Sequence, residues 1–413
     1  MKTLIALLSL LLSAGSCGTP AASVNNVIPP SPPVPPGVSK EAQKEFAAGS
    51  MDFAFRFLQQ IDGNEKGDWF VSPLSLQYLL GMLLNGAQGK TADEIAGVLR
   101  CDPARLDTLN AWSQQTIGIL PLRDTSVQLT LAGAIFLNDR AQLLPPYVKN
   151  MESFYNATVE NLDFSDGDNA LQRINGWASE QTHGLIPGVI QEVDPAMLAY
   201  LLNALYFKGS WAHPFSKDLT RKESFHLAGG GQKPVDMMRK TRKYDYAELD
   251  NCRSVRLDYG NGAYAMTVIL PQEGHSLDEV SASLDTEMWN KLRSRYRDEK
   301  VDLWLPRFES KYHVKLNQIL SDMGMPRSFK QGKADFKLMS SMADYLDFVQ
   351  QDAIIKVDEE GTEAAAVSSA GMMLATAVAE PRIIVFHADQ PFLYLISDTR
   401  TGVILFAGKY TGR

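Results

Sequence analysis

The side chains able to do chemistry are few and scattered in this chain. Histidines stand at His183, His213, His226, His275, His313 and His387. None sits at a metal-ligand spacing such as His-Glu-x-x-His, and the cysteines, Cys17, Cys101 and Cys252, have no zinc spacing. The Gly-x-Ser-x-Gly turn that exposes a hydrolase nucleophile is missing, as are the phosphate-cradling loop and the dinucleotide glycine fingerprint. A Ser-His-Asp triad needs only to meet in space, so the sequence leaves one open without supporting it. No catalytic residue, metal ligand or cofactor is assigned.

The most informative stretch lies near the C-terminus. Residues 359–370 read Glu-Glu-Gly-Thr-Glu-Ala-Ala-Ala-Val-Ser-Ser-Ala and lead into Gly371-Met372-Met373-Leu374-Ala375-Thr376-Ala377-Val378. After Glu363 the run is uncharged and small, unlike a surface loop with Pro, Asn and Asp. Alternate side chains of a strand face opposite ways. One parity, Thr362, Ala364, Ala366, Ser368, Ala370, Met372 and Leu374, is free of charge; Glu363 falls on the other. Such a segment can enter a sheet with the first face on a core. Composition alone favours an Ala-rich helix or a plain loop.

Several elements must position this run. Phe46, Phe53, Phe57 and Ile61 recur at helical spacing over 41–62. Ser72 followed by Pro73 predicts a helix start, and the nearly all-apolar residues to Leu84 predict a buried helix. Thr91 with Glu94 reads as a capping box. Strands are expected at 127–138, 196–208, 301–308 and 346–358, several short strands over 234–271, and helices at 168–184 and 276–296. A closing hairpin is expected from about 392–397 and 403–410. Without βα alternation or internal repeats, the class is α+β rather than a doubly wound parallel sheet.

Taken together, these segments resemble the serpin family of serine protease inhibitors. Glu359-Glu360-Gly361-Thr362-Glu363-Ala364-Ala365-Ala366 is close to the family's hinge. The likeness extends, in order, through Phe70-Val71-Ser72-Pro73-Leu74-Ser75, Gly86-Ala87-Gln88-Gly89-Lys90-Thr91, Asn203-Ala204-Leu205-Tyr206-Phe207-Lys208-Gly209-Ser210-Trp211, Phe386-His387-Ala388-Asp389-Gln390-Pro391-Phe392 and Gly402 to Lys409. The resemblance implies a serpin fold: a large central mixed β-sheet, additional smaller sheets, about eight or nine helices and an exposed reactive-centre loop at about 361–382. It places Ser72, Ser75, Asn203 and Trp211 along the sheet that must open. The chain departs from the family at Gln351, where many serpins carry a shutter histidine.

The resemblance also implies an activity. A serine protease attacks the loop, the acyl-enzyme forms, and the cut segment inserts into the sheet before deacylation. Counting from Gly361 puts the reactive bond at Ala375–Thr376, within a recognition window of Met372, Met373, Leu374, Ala377 and Val378. No Arg or Lys lies in that window, which points to elastase-like or subtilisin-like targets rather than trypsin-like ones. The implied partners are serine proteases, with cysteine proteases as a further class, and the chain is expected to be a monomer. The alternative is a non-inhibitory serpin serving as a binding protein or chaperone; the small hinge residues favour inhibition.

Net charge is −8 without a long basic run, against a nucleic-acid role. Residues 1–16 read as a signal peptide: Lys2, then an apolar run from Leu4 to Leu12 too short to span a membrane. Ala14-Gly15-Ser16-Cys17 resembles a bacterial lipobox, which makes Cys17 a lipidation site; ordinary cleavage nearby is the alternative. Residues 17–40 form a Pro-rich tether, stiffened by the fixed φ of proline, and 41–413 the serpin domain. The expected place is an outer-membrane lipoprotein, the cell surface or the periplasm, with secretion as the alternative. Cys101 and Cys252 are expected to be unbridged. Replacing Cys17 by Ala is expected to abolish lipid labelling and release the body from the membrane fraction; labelling that persists would refute the lipidated Cys17.

Overall fold

The computed structural model describes residues 38–362 and 382–413. The signal peptide, the tether up to residue 37 with Cys17, and the loop residues Glu363 to Ala366 and Met372 to Val378 lie outside the described residues.

The chain runs α1 (Lys40–Asn64), β1 (Trp69–Val71), α2 (Pro73–Gly86), α3 (Gly89–Leu99), α4 (Leu106–Ile119), β2 (Gln128–Asn138), α5 (Pro145–Tyr155), β3 (Ala157–Leu162), α6 (Gly167–Gln181) and β4 (Ala199–Ser210). It continues through β5 (Arg221–His226), β6 (Gln232–Glu248), β7 (Cys252–Tyr259), β8 (Tyr264–Pro271), α7 (Leu277–Ser283), α8 (Thr286–Arg295), β9 (Arg297–Pro306) and β10 (Phe308–Lys315). It closes with α9 (Asn317–Met323), β11 (Gln350–Val357), β12 (Gly361–Thr362), β13 (Ile384–His387), β14 (Phe392–Asp398) and β15 (Ile404–Tyr410). This is the expected α+β architecture, and the closing pair forms the expected hairpin, Phe392 opposite Tyr410.

Local chemistry explains where these elements begin. Ser72 has extended backbone, and its hydroxyl accepts the Ser75 N–H at 3.1 Å, with Pro73 in the first turn. All fourteen residues of α2 are buried, as its all-round apolar character requires. The stretch 276–296 is two helices rather than one, because Asp285 restarts the helix by accepting the Met288 N–H at 2.8 Å. Thr91 and Glu94 do not form a capping box. They hold a distant segment instead, accepting the N–H groups of Asp335 (3.0 Å) and Arg327 (2.9 Å). The region 234–271 holds three strands, and the first, β6, is seventeen residues long. Its charged run Arg239–Lys243 continues the strand because long side chains lay their stems along the sheet and send their heads to water. Cys101 and the buried Cys252 are both free thiols.

The strands make two sheets. One follows the order β1-β15-β14-β8-β7-β6-β9-β13, with β5 on β6, and is antiparallel except for β13 on β9. The other follows β10-β11-β12-β4-β2-β3, mixed because β3 is parallel to β2. The second sheet carries the unusual feature. β12 is two residues long and pairs with Val357 of β11 on one side and with Gly209 and Ser210 of β4 on the other. Beyond that short wedge no described residue joins β11 to β4. A cavity of about 330 Å³ lies along the facing edges, bordered by Leu202 and Ala204 of β4, Gln351 and Ala353 of β11, and Leu76 and Leu79 of α2. α6 and the segment after it cover the other side through Trp177, Thr182 and Val189.

Candidate functional site

Two clusters of side chains hold the divided sheet, one at the wedge and one midway down. At the wedge the chain reverses tightly from β11 to β12. Asp358 Oδ1 accepts the N–H groups of Glu360 (2.8 Å) and Gly361 (3.2 Å), and the Asp358 N–H donates to the Gly361 carbonyl at 3.0 Å. Gly361 is required by close approach. A Cβ there would stand 2.1 Å from the Gly209 carbonyl oxygen, so any side chain would push β12 off β4.

The reversal is clamped by the segment that leaves β4. The Trp211 N–H donates to the Glu360 carbonyl at 2.8 Å, and the Phe215 N–H to the Glu359 carbonyl at 2.7 Å. Trp211 Nε1–H donates to the Asp358 carbonyl at 2.9 Å, while its ring stacks on Tyr259, centroids 4.5 Å apart. The Tyr259 hydroxyl and the Thr362 hydroxyl share a hydrogen bond of 2.7 Å. Thr362 is therefore turned into the core, as its parity predicts, and is 3 % exposed. Trp211 stands one residue past β4 and caps the strand end rather than lying on it.

Charge completes the clamp. The buried Glu359 carboxylate accepts from Arg307 (2.5 Å) and from the Thr220 hydroxyl (2.6 Å), and Glu360 pairs with Lys217 at 2.6 Å. Burial alone would push the Glu359 acidity toward the neutral form. The bonds from Arg307 and Thr220 outweigh it and hold the carboxyl below its ordinary range.

Midway down, the polar groups are neutral. Gln351 Oε1 accepts the Ser72 N–H at 2.8 Å, and its Nε2 donates to the Ser72 carbonyl at 2.9 Å. One amide thus satisfies both backbone groups of the residue that starts α2. The Ser72 hydroxyl donates to the Leu405 carbonyl at 2.7 Å, and the Ser75 hydroxyl to Asn203 Oδ1 at 2.6 Å. Ser72, Ser75, Asn203 and Gln351 therefore tie α2 to both β4 and β11 across the cavity. A further tie runs from Gln350 of β11 to the Val189 carbonyl in the covering segment.

The structure thus gathers the described sequence-derived residues into two groups: Glu359, Glu360, Gly361, Thr362 and Trp211 at the wedge, and Ser72, Ser75 and Asn203 at the middle. It adds Arg307, Thr220, Lys217, Tyr259 and Asp358 to the first, none of which the sequence singled out. Thr220 and Arg307 stand 139 and 52 residues from Glu359, so no local pattern marks them.

Among the described residues the sheet is parted at its centre, with β12 paired at one end of the interval. The model of the serpin family, described as serine protease inhibitor, matches residues 48–412. The leukocyte elastase inhibitor of Xenopus tropicalis is 34% identical over 370 residues, 87% of this chain and 97% of that protein. Serpin B6 of Macaca fascicularis is 32% identical over 368 residues, 87% of this chain and 97% of its own length. Among solved structures, the thermophilic serpin tengpin in its native state superposes with a TM-score of 0.81 at 25% identity, covering 91% of this chain and 95% of that one. The chain belongs to the serpin family, whose members are protease inhibitors rather than enzymes.

Gln351→Ala is expected to orphan two buried backbone groups at Ser72. That costs about 2 kcal/mol or more, read as a lower melting temperature of the intact protein and faster loss of its native form on heating. A carboxyl held below its usual range stabilises the fold above its unfolded-state value, 4.5 for Glu359, and loses that contribution as pH falls through the folded value. Glu359→Gln is therefore expected to lower the melting temperature at neutral pH. The difference from wild type should shrink as pH falls from neutrality through the lowered folded value; a gap that stays constant with pH would contradict the ionic clamp.

Proposed function

We propose that this serpin is a single-use, irreversible inhibitor of serine proteases of the elastase-like or subtilisin-like kind. The observation that carries the reading is the interval between β4 and β11, which no described residue occupies beyond β12 at one end. The protease serine Oγ attacks the carbonyl of Ala375, the Thr376 nitrogen leaves protonated, and an ester joins the protease to the new end of the chain. The freed segment continues β12 down the sheet and carries the protease with it, so the distorted acyl-enzyme fails to hydrolyse.

The energetics support that direction. Each ladder hydrogen bond contributes roughly 1 kcal/mol net, and a strand as long as the eight-residue β11 would pair on both sides, a gain on the order of 10 kcal/mol. The parity begun by Thr362 puts Ala364, Ala366, Ser368 and Ala370 on the inward face, where small uncharged groups meet little steric or desolvation resistance. The apolar residues at Met372–Val378 suit proteases whose specificity pocket lacks an acidic group.

The test is incubation with pancreatic elastase and with subtilisin. The expected result is a covalent complex that survives denaturing electrophoresis, a released C-terminal fragment beginning at Thr376 by mass spectrometry, and a clipped form that melts higher than the intact one. Thr362→Arg should convert the inhibitor into a substrate, since an unpaired charge would have to be buried beside Tyr259. Undiminished complex formation by that variant, or a clipped form of unchanged stability, would sink the insertion mechanism.

A further inference from the structure

The face of the interval that α6 covers carries a hydrogen-bond arrangement separate from the two clamps. Residues 182–198, between α6 and β4, cross that face without helix or strand. Leu185, Ile186 and Val189 of this segment line the cavity. The backbone of such a crossing has no ladder of its own, so its polar groups need other partners. At Val189 and Ile190 two side-chain amides supply all four. Asn175 Oδ1 accepts the N–H groups of Val189 (2.8 Å) and Ile190 (3.1 Å), and its Nδ2 donates to the Ile190 carbonyl at 2.9 Å. Gln350 Nε2 donates to the Val189 carbonyl. Gly188 lies so close to Asn175 that a Cβ there would stand 3.1 Å from the amide.

These ties lead to different places. Asn175 belongs to α6, and Thr182 holds the start of the segment to the same helix, its hydroxyl donating to the Ala178 carbonyl at 2.7 Å. Asn138, at the end of β2, holds the other end through the carbonyls of Pro195 (3.1 Å) and Met197 (3.0 Å). α6 packs on β2 and β4, so all of these lie on one side of the interval. Gln350 stands on β11, and its bond reaches across from the other side. The register of the wedge shows what lies beneath that bond. Thr362 stands opposite Val357 of β11 and Gly209 of β4. A strand continuing β12 comes level with Gln350 and Leu202 seven residues later, the same step down both neighbours. Seven is odd, so the side chain delivered there points away from the face of Thr362 and toward the cover.

We propose that Gln350 is a positioning residue for strand entry: its bond to Val189 holds the cover across the path of the entering strand and must open before that strand can run the full length of β11. The inference rests on the inhibitory reading above and adds to it a latch at the end of the interval remote from the hinge. The donor matters here rather than the bulk of the side chain, because Gln350 Nε2 sits between two acceptors, the Val189 carbonyl and, at 3.3 Å, Asp352 Oδ2.

The test compares the full chain with Gln350→Ala, Gln350→Glu and Gln350→Lys. Stopped-flow tryptophan fluorescence follows insertion after mixing with saturating subtilisin, Trp177 at the interval serving as a native reporter. Melting temperatures of the intact and clipped forms are measured alongside. Removing one hydrogen bond that breaks during entry should raise the plateau rate about five-fold in Gln350→Ala. Gln350→Glu keeps the shape, loses the donor and turns a carboxylate on two acceptors, so it should be at least as fast. Gln350→Lys restores a donor and should return toward the wild-type rate. Hydrogen exchange of the Val189–Ile190 segment in the intact protein should rise in the Ala and Glu variants and stay low in the Lys variant. Equal plateau rates in all four proteins, or a Glu variant that matches wild type, would overturn the latch, while a clipped form of raised melting temperature would leave the inhibitory reading standing. A wild-type clipped form that melts no higher than the intact one would overturn both.

Discussion

The rest of this structure depends on two strand edges that face each other without pairing. β4 and β11 run on either side of a cavity, bridged among the described residues only by the two residues of β12. Unpaired edges are ordinarily a liability that folds cover or blunt. Here they are kept inside, roofed by α6 and floored by α2 and so shielded from other chains, with no described residue between them beyond the wedge. On the inhibitory reading, such a molecule retains stabilisation it has not collected, and its behaviour turns on what keeps the edges apart.

Two clamps of different chemistry do that. The upper one is ionic and aromatic: Glu359 lies between Arg307 and Thr220, and Trp211 lies between Tyr259 and the backbone of Asp358. The lower one is neutral: Gln351 spans both backbone groups of Ser72, and Ser75 reaches Asn203. The distinction has a consequence. A carboxylate clamp weakens as protons are added, whereas an amide clamp does not titrate. Gln351 leaves the middle of the sheet without a titrating group, whereas the hinge clamp titrates through Glu359.

The long apolar elements were legible in the sequence because their periodicity is local. α1, α2, β2, β4 and the β14–β15 hairpin lie close to where spacing and turn residues put them. Boundaries failed where a cap competes with the pattern, as at Asp285, or where a capping pair is drawn off to a distant partner, as with Thr91 and Glu94. At the site, Ser72 was marked as a helix start and the run from Glu359 to Thr362 by composition and parity, whereas Ser75, Asn203 and Trp211 were marked only by likeness to a family. Their partners Arg307, Thr220 and Tyr259 were invisible because tertiary folding alone brings them to the hinge. The role of Gln351 likewise emerges only once β11 lies against the start of α2.

The position of Thr362 joins the two levels. Its hydroxyl is tied to Tyr259 in the core, which fixes the register of β12 between β4 and β11. A one-residue slip would turn Glu363 inward and expose the opposite face; Gly361 pressed against Gly209 and the Thr362–Tyr259 bond exclude that slip from the outset. On the inhibitory reading, insertion then proceeds by extension of an existing ladder rather than by a search for one, and its nucleation cost is met in the native state. Speed decides whether a protease is trapped or escapes, so the value of the wedge is kinetic. The two paired residues contribute little stability, but on that reading they spare the inserting strand its nucleation step.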